Sequence, residues 1–235
     1  KLACTVFLTG CNFRCPYCYS SELVLPQKIK NQPKIPEREF FSFLKKRKNL
    51  LEGCVLCGGE PTVHKDLADF AGKIKKMGYV VKLDTNGSNP DVLRKLIDKK
   101  LVDYMAMDVK APINLKSQIP NHKLQTNSKL QISKYGKATG VKVNLEKIKK
   151  SVEILKNSRI DYEFRTTVVP GIHTKKDILE IAKEIGPAKR YYLQNFRAEK
   201  NLNPEFEKLK PYADKYILDI IKKISPFFEV CQMRN

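Results

Sequence analysis

Residues 79–109, YVVKLDTNGSNPDVLRKLIDKKLVDYMAMDV, hold in one stretch the unit whose repetition sets the fold. Tyr79 to Asp84 is a β-branched, apolar run closed by the turn sequence Asn86-Gly87. Pro90 to Lys99 follows with helical spacing: Val92, Leu93, Leu96 and Ile97 share one face and Asp91, Arg94, Lys95 and Asp98 the other, the pattern of a helix lying on a sheet. Asp103 to Val109 is a second strand. Outward from this unit the same alternation continues, with strands at Ala3 to Leu8, Gly53 to Cys57, Asp161 to Val168 and Arg190 to Phe196. Helices are expected at Pro36 to Lys48, Asp66 to Lys76, Asn144 to Asn157 and Lys175 to Ile185, and Gly78 and Gly186-Pro187 supply stops. Strand–helix alternation of this kind demands crossovers and a parallel sheet. At about 30–40 residues per unit, 235 residues suit an α/β fold of partial (βα)6 TIM-like type with a curved parallel sheet better than a closed eight-strand barrel of about 250. In such folds chemistry sits at the carboxyl ends of the strands.

Composition narrows the classes. With 42% apolar and 30% charged residues the chain is an ordinary globular one, expected as a single domain over 1–235. Apolar runs never exceed four residues, so no membrane span of about 20 is present and a cytoplasmic location is expected. The chain starts at Lys1 and enters an apolar run at once, which leads us to expect a segment upstream. Forty-five basic against 25 acidic side chains give a net charge of +20, a field that favours polyanions or acidic protein surfaces. Residues 110–159 carry twelve Lys or Arg against Glu146 and Glu153, either a solvated lysine-rich surface or a contact for an acidic or nucleic-acid partner. The polar, basic insertion 113–142 breaks the rhythm and reads as a lid, binding loop or disordered segment. The C-terminal extension 204–235 reads as a helix over Tyr212 to Ile224 and a short apolar strand or strap, Phe227 to Cys231.

Of seven cysteines, three stand together directly after the first strand: Cys11, Cys15 and Cys18, in TGCNFRCPYC. Tetrahedral zinc would need a fourth ligand, whereas three thiolates can hold a [4Fe–4S] cube and leave one iron open for chemistry. Cys15 and Cys18 with Cys54 and Cys57 form a rival zinc set, but residues three apart on a strand point to opposite faces and Cys11 would be idle. Cys4, Cys54, Cys57 and Cys231 otherwise read as buried small hydrophobes. His64, His122 and His173 stand in loop contexts and read as surface residues.

The cysteine spacing, with Tyr17 before the last thiol, resembles the radical S-adenosylmethionine (SAM) superfamily. Gly58-Gly59-Glu60-Pro61-Thr62, Leu83-Asp84-Thr85-Asn86-Gly87, Met107-Asp108-Val109-Lys110 and Arg165-Thr166-Thr167, each ending a strand, resemble the activating enzymes of glycyl radical enzymes, the anaerobic ribonucleoside-triphosphate reductase activating proteins above all. The resemblance implies cysteine ligation of the cluster by Cys11, Cys15 and Cys18. It implies SAM contacts from the Gly58 and Gly59 carbonyls with Glu60 toward the amine, Lys110 toward the carboxylate, Arg165 and Thr167 near the ribose and sulfonium, and Tyr17 against adenine. Asn86 belongs to the same set, and Asp84 and Asp108 would flank a monovalent cation, since paired carboxylates repel unless a cation or hydrogen bonds lie between them. Each also has a plainer account: an Asx turn for Asp84 and Asn86, a surface lysine for Lys110, a strand-end ion pair for Arg165. Gln194-Asn195-Phe196 stands where some relatives bear a histidine, and the insertion after Pro112 exceeds the family pattern.

The implied activity is reductive cleavage of SAM to a 5′-deoxyadenosyl radical that abstracts hydrogen from a glycine of an anaerobic ribonucleotide reductase, with a flavodoxin or ferredoxin as electron donor. Two other readings stay open. One is a radical SAM enzyme acting on RNA or a small metabolite, and the other is a non-catalytic, zinc-stabilised nucleic-acid-binding module.

Overall fold

The computed structural model describes residues 1–114 and 133–234. In chain order its elements are β1 (Ala3–Leu8), α1 (Ser21–Val24), α2 (Pro26–Ile29), α3 (Glu37–Lys46), β2 (Gly53–Gly58), α4 (Leu67–Lys76), β3 (Val80–Thr85), α5 (Pro90–Asp98), β4 (Tyr104–Asp108), α6 (Lys134–Thr139), α7 (Leu145–Lys156), β5 (Asp161–Val168), α8 (Lys175–Ile185), β6 (Ala188–Asn195), α9 (Asp214–Ile224) and β7 (Phe228–Arg234). The strands form one sheet in the order β1 to β7, each parallel to the next. Every strand therefore presents its carboxyl end at the same rim.

Strand alternation separates two faces. Leu56, Val81, Leu83, Met105, Met107, Phe164, Tyr191 and Leu193 are fully buried in the core, where Leu93 and Leu96 of α5 and Ile178, Ile181 and Ile185 of α8 join them. Burying a leucine or isoleucine fully is worth about 1.5–3 kcal/mol, so these rows hold the helices in place. The other face carries Phe7, Cys57, Asp84, Asp108, Arg165, Gln194 and Arg234, one from each strand, and all line a single cavity.

Two departures from expectation have physical causes. The sheet has seven strands rather than six, because α9 buries Ile217, Ile220 and Ile224 and returns the chain so that β7 can pair with β6. Of the insertion, residues 115–132, His122 among them, lie outside the described residues. Its end is not a loop: α6 is capped by Ser133 Oγ, which accepts from the Gly136 N–H, and it buries Tyr135 and Ala138 completely. Two apolar anchors three residues apart suffice for a turn of packed helix although the surrounding composition is polar. No helix among the described residues is long and apolar enough to cross a membrane.

Candidate active site

The cavity at the rim, about 440 Å³, is lined by Cys11, Cys15, Cys18, Tyr17, Gly58, Gly59, Glu60, Asp84, Asn86, Asp108, Lys110, Arg165 and Thr167. The residues that the resemblance assigns to the cluster or to SAM thus line one hollow. The loop bearing the three thiols is held from several sides. Gly10 N–H donates to Leu23 O, Arg14 N–H to Thr139 O, Leu202 N–H to Cys18 O and Asn203 N–H to Pro16 O. The Arg14 guanidinium donates to the carbonyls of Cys11 (2.6 Å) and Phe13 (2.7 Å), and the Asn201 amide to that of Tyr17 (3.1 Å).

The glycine pair is required by a close passage of backbones. Gly58 has φ +113°, and a Cβ on Gly59 would stand 2.0 Å from Gly10 O. Only without side chains can Gly59 N–H reach Leu8 O and Glu60 N–H reach Gly10 O, both at 2.8 Å. The pair fastens the thiol loop to β2 while its own backbone stays on the cavity wall.

Glu60 lines the cavity from a buried position. It is 1% exposed. One oxygen accepts from Thr62 N–H, Thr62 Oγ1 and Thr85 Oγ1, and the other from Asn86 N–H at 2.6 Å. Burial nevertheless pushes its carboxyl above the usual range, against those four bonds. With both oxygens engaged, Glu60 braces the tips of β2 and β3. Asn86 does form the Asx-type turn, its Oδ1 accepting from Ser88 N–H, and in addition its Nδ2 donates to Asn12 Oδ1 at 2.9 Å, tying β3 to the thiol loop.

Asp84 and Asp108 are separated by a protein cation. Arg165 donates through Nε to Asp108 (2.8 Å) and through a terminal nitrogen to Asp84 (2.9 Å). Lys82 Nζ lies 3.3 Å from Asp84, and Lys110 Nζ 2.8 Å from Asp108. The guanidinium therefore bridges the two aspartates and, with the two lysines, offsets their mutual repulsion. Burial alone would raise the Asp108 carboxyl; Arg165 and Lys110 outweigh it and hold it at about 2. Burial also opposes charge on Lys110, yet Asp108 wins and the ammonium is held well above the ordinary lysine value.

Of the three thiols, Cys15 is buried and Cys11 and Cys18 are half-buried. Burial raises all three and takes Cys15 up to about 12, while Lys110 partly counters it at each. No three described His, Cys, Asp or Glu side chains converge closely enough to hold a single metal ion. Cys11, Cys15 and Cys18 line one cavity, and three thiolates are a donor set that fits a cluster, whose irons are separate points of attachment. The zinc set fails: Cys57 faces the cavity, whereas Cys54 lies in the core with its sulfur 3.5 Å from Cys4.

His173 corrects the sequence reading. It is 1% exposed; Nδ1 accepts from Val169 N–H (3.0 Å) and Nε2 donates to Lys110 O (2.8 Å), linking the β5 and β4 tips. His64 is half-buried, with Nε2 2.8 Å from Thr9 O. Sequence reasoning also missed Glu163, 2% exposed, which accepts from Tyr104 Oη and binds Arg234 below Arg165. Alternation along β5 puts Glu163 on the face of Arg165 and Thr167, and that period was the signal available.

A model of the radical SAM superfamily matches residues 5–185. A protein of Methanocaldococcus jannaschii that carries the provisional name of a glycyl-radical enzyme activating enzyme is 31% identical, over 98% of this chain and 92% of its own length. A second from that organism with the same provisional name is 25% identical over 92% of this chain and 78% of its own. Streptococcus suis SuiB bound to S-adenosylmethionine has the same fold, with a TM-score of 0.63 at 13% identity over 98% of this chain; the match spans half of SuiB. A thiol triad, a glycine wall and an ion-paired rim sharing one hollow are thus found in a chain that belongs to the radical SAM superfamily, whose cofactors are a [4Fe–4S] cluster and S-adenosylmethionine.

Proposed function

We propose that this protein activates a glycyl radical enzyme, an anaerobic ribonucleotide reductase, by abstracting hydrogen from a backbone glycine of that partner. The observation that carries the reading is the shared cavity at the rim, which joins the thiols to the glycine wall and to the Asp84, Asp108, Lys110 and Arg165 ion pairs. When bound, the cluster would relay an electron from an external donor for the reductive cleavage of SAM, which would supply the hydrogen-abstracting species. The chain's own residues bind and orient. Cys11, Cys15 and Cys18 would hold three irons, and the Gly58-Gly59 backbone would accept from the SAM amine. Lys110, kept protonated by Asp108, would face the carboxylate, and Arg165 and Thr167 the ribose side. Tyr17, 5% exposed with its hydroxyl unpartnered, would close the adenine end.

Support for a macromolecular substrate comes from the mouth. Phe7 and Tyr19, 62% and 58% exposed, both line the cavity, an apolar contact for an inserted segment. The +20 charge suits an acidic flavodoxin or ferredoxin as electron donor, in keeping with a cytoplasmic location. The test is to incubate the reconstituted protein anaerobically with dithionite, SAM and the reductase, and to record the electron paramagnetic resonance spectrum. A glycyl doublet on the reductase is expected; SAM consumption without that doublet would refute the substrate assignment.

A further inference from the structure

Cys4 and Cys54 take no part in the rim site. They stand at matched register on β1 and β2, with their Sγ atoms 3.5 Å apart and both thiols free. Cys54 is 1% exposed, whereas Cys4 is only partly covered, on the strand that forms one edge of the sheet. Neighbouring strands run about 4.8 Å apart, within the span of about 4.4–6.8 Å between Cα atoms that a disulfide bridges. Joining them requires the two sulfurs to close from 3.5 Å to about 2.05 Å. The two other thiols outside the cluster loop are differently placed: Cys57 faces Asp84 and Arg165, and Cys231 pairs in register with Tyr191.

We propose that Cys4 and Cys54 are a redox-active dithiol that closes to a disulfide by exchange with a low-molecular-weight disulfide. Cys4, on the accessible edge, loses its proton and attacks one sulfur of the reagent, breaking its S–S bond and releasing one thiol. Cys54 then gives up its proton and displaces the second thiol from the mixed disulfide on Cys4. Two protein thiols are oxidised to one disulfide, and the reagent takes up two electrons and two protons as two thiols. Burial, with the hydrogen bond from Cys4, pushes the Cys54 thiol up to about 12, which fits it to the second, intramolecular step rather than the first. The bond would fasten the edge strand to β2 just ahead of the cluster loop and constrain the unfolded chain.

The test reads the bond itself and is independent of the activase assignment. Iron-loaded protein is held anaerobically over a series of oxidised-to-reduced glutathione ratios, quenched in acid, unfolded, alkylated with N-ethylmaleimide, digested and analysed by mass spectrometry. The expected product is a peptide pair joined through Cys4 and Cys54, with Cys57 and Cys231 alkylated and an unfolding temperature that rises and is restored by dithiothreitol. Cys54→Ser, or Cys54→Ala if that variant folds poorly, should instead carry glutathione on Cys4. Wild-type protein that keeps glutathione on Cys4 without the link overturns the proposal. So does wild-type protein with both thiols free at ratios that modify the Cys54 variant, or one linked through any other pair.

Discussion

Replacing Arg165 with methionine deletes the guanidinium between Asp84 and Asp108 and keeps a side chain of similar reach. The two carboxylates then retain only Lys82, 3.3 Å from Asp84, and Lys110, 2.8 Å from Asp108. Arg165, Asp84 and Asp108 are 13, 22 and 26% exposed, so solvent screens them weakly. Removing one member of a buried ion pair costs about 3–5 kcal/mol, and the remaining lysines put this case near the lower bound, about 3 kcal/mol. In a chain of this size that lowers Tm by about 6–12 °C. A pH series adds an internal check. Burial pushes the Asp108 carboxyl up, but Arg165 and Lys110 hold it at about 2, against an ordinary 3.8, which contributes about 2 kcal/mol at neutral pH. Because the folded value lies below the unfolded one, this contribution is complete above the ordinary value and is lost as pH falls from about 4 toward about 2. Thermal unfolding followed by circular dichroism across that range should show a smaller acid loss in Arg165→Met. A variant whose neutral-pH Tm lies within about 2 °C of wild type, with the same acid profile, would refute the bridging role.

Gly59→Ala should place a methyl 2.0 Å from Gly10 O and push the cluster loop off β2. Overpacking of this kind costs about 1–3 kcal/mol, and reconstituted iron per chain should fall while far-ultraviolet circular dichroism stays unchanged. His173 is held at about 4 by burial, against 6.5 when free, so its folded value is the depressed one. Its contribution, about 3 kcal/mol, is present above the free value and is lost as pH falls from about 6.5 to about 4. Urea denaturation over that window should show this loss in wild type and less of it in His173→Gln.

Much of the fold was legible because the alternation of strand and helix periods is a local property. The 79–109 unit fixed the parallel sheet, and Asp161–Val168 was delimited to the residue. The apolar strand or strap at Phe227 to Cys231 was legible too, as β7, but its pairing with β6 was not, since that depends on α9 folding the chain back. That these residues would line one cavity was legible because motifs at strand ends must meet at one rim. Partnerships within the site were not. Nothing in the spacing of Asp84, Asp108 and Arg165 says that the arginine lies between the aspartates, and nothing near Glu60 says that four donors absorb its carboxylate. His173 read as a surface residue because it stands in a loop context, yet it is buried and bonds to the carbonyl of Lys110, just past β4 and 63 residues away in sequence.

The account rests on three sulfurs holding an iron cluster that SAM can reach. The most direct measurement is the low-temperature electron paramagnetic resonance of anaerobically reconstituted, dithionite-reduced protein, recorded with and without SAM and paired with metal analysis. About four irons and four sulfides per chain are expected, with a reduced-cluster signal whose shape changes on adding SAM and which disappears in a Cys11→Ser, Cys15→Ser, Cys18→Ser triple variant. A protein that binds zinc and no iron, or a cluster signal that SAM leaves unchanged, would contradict it.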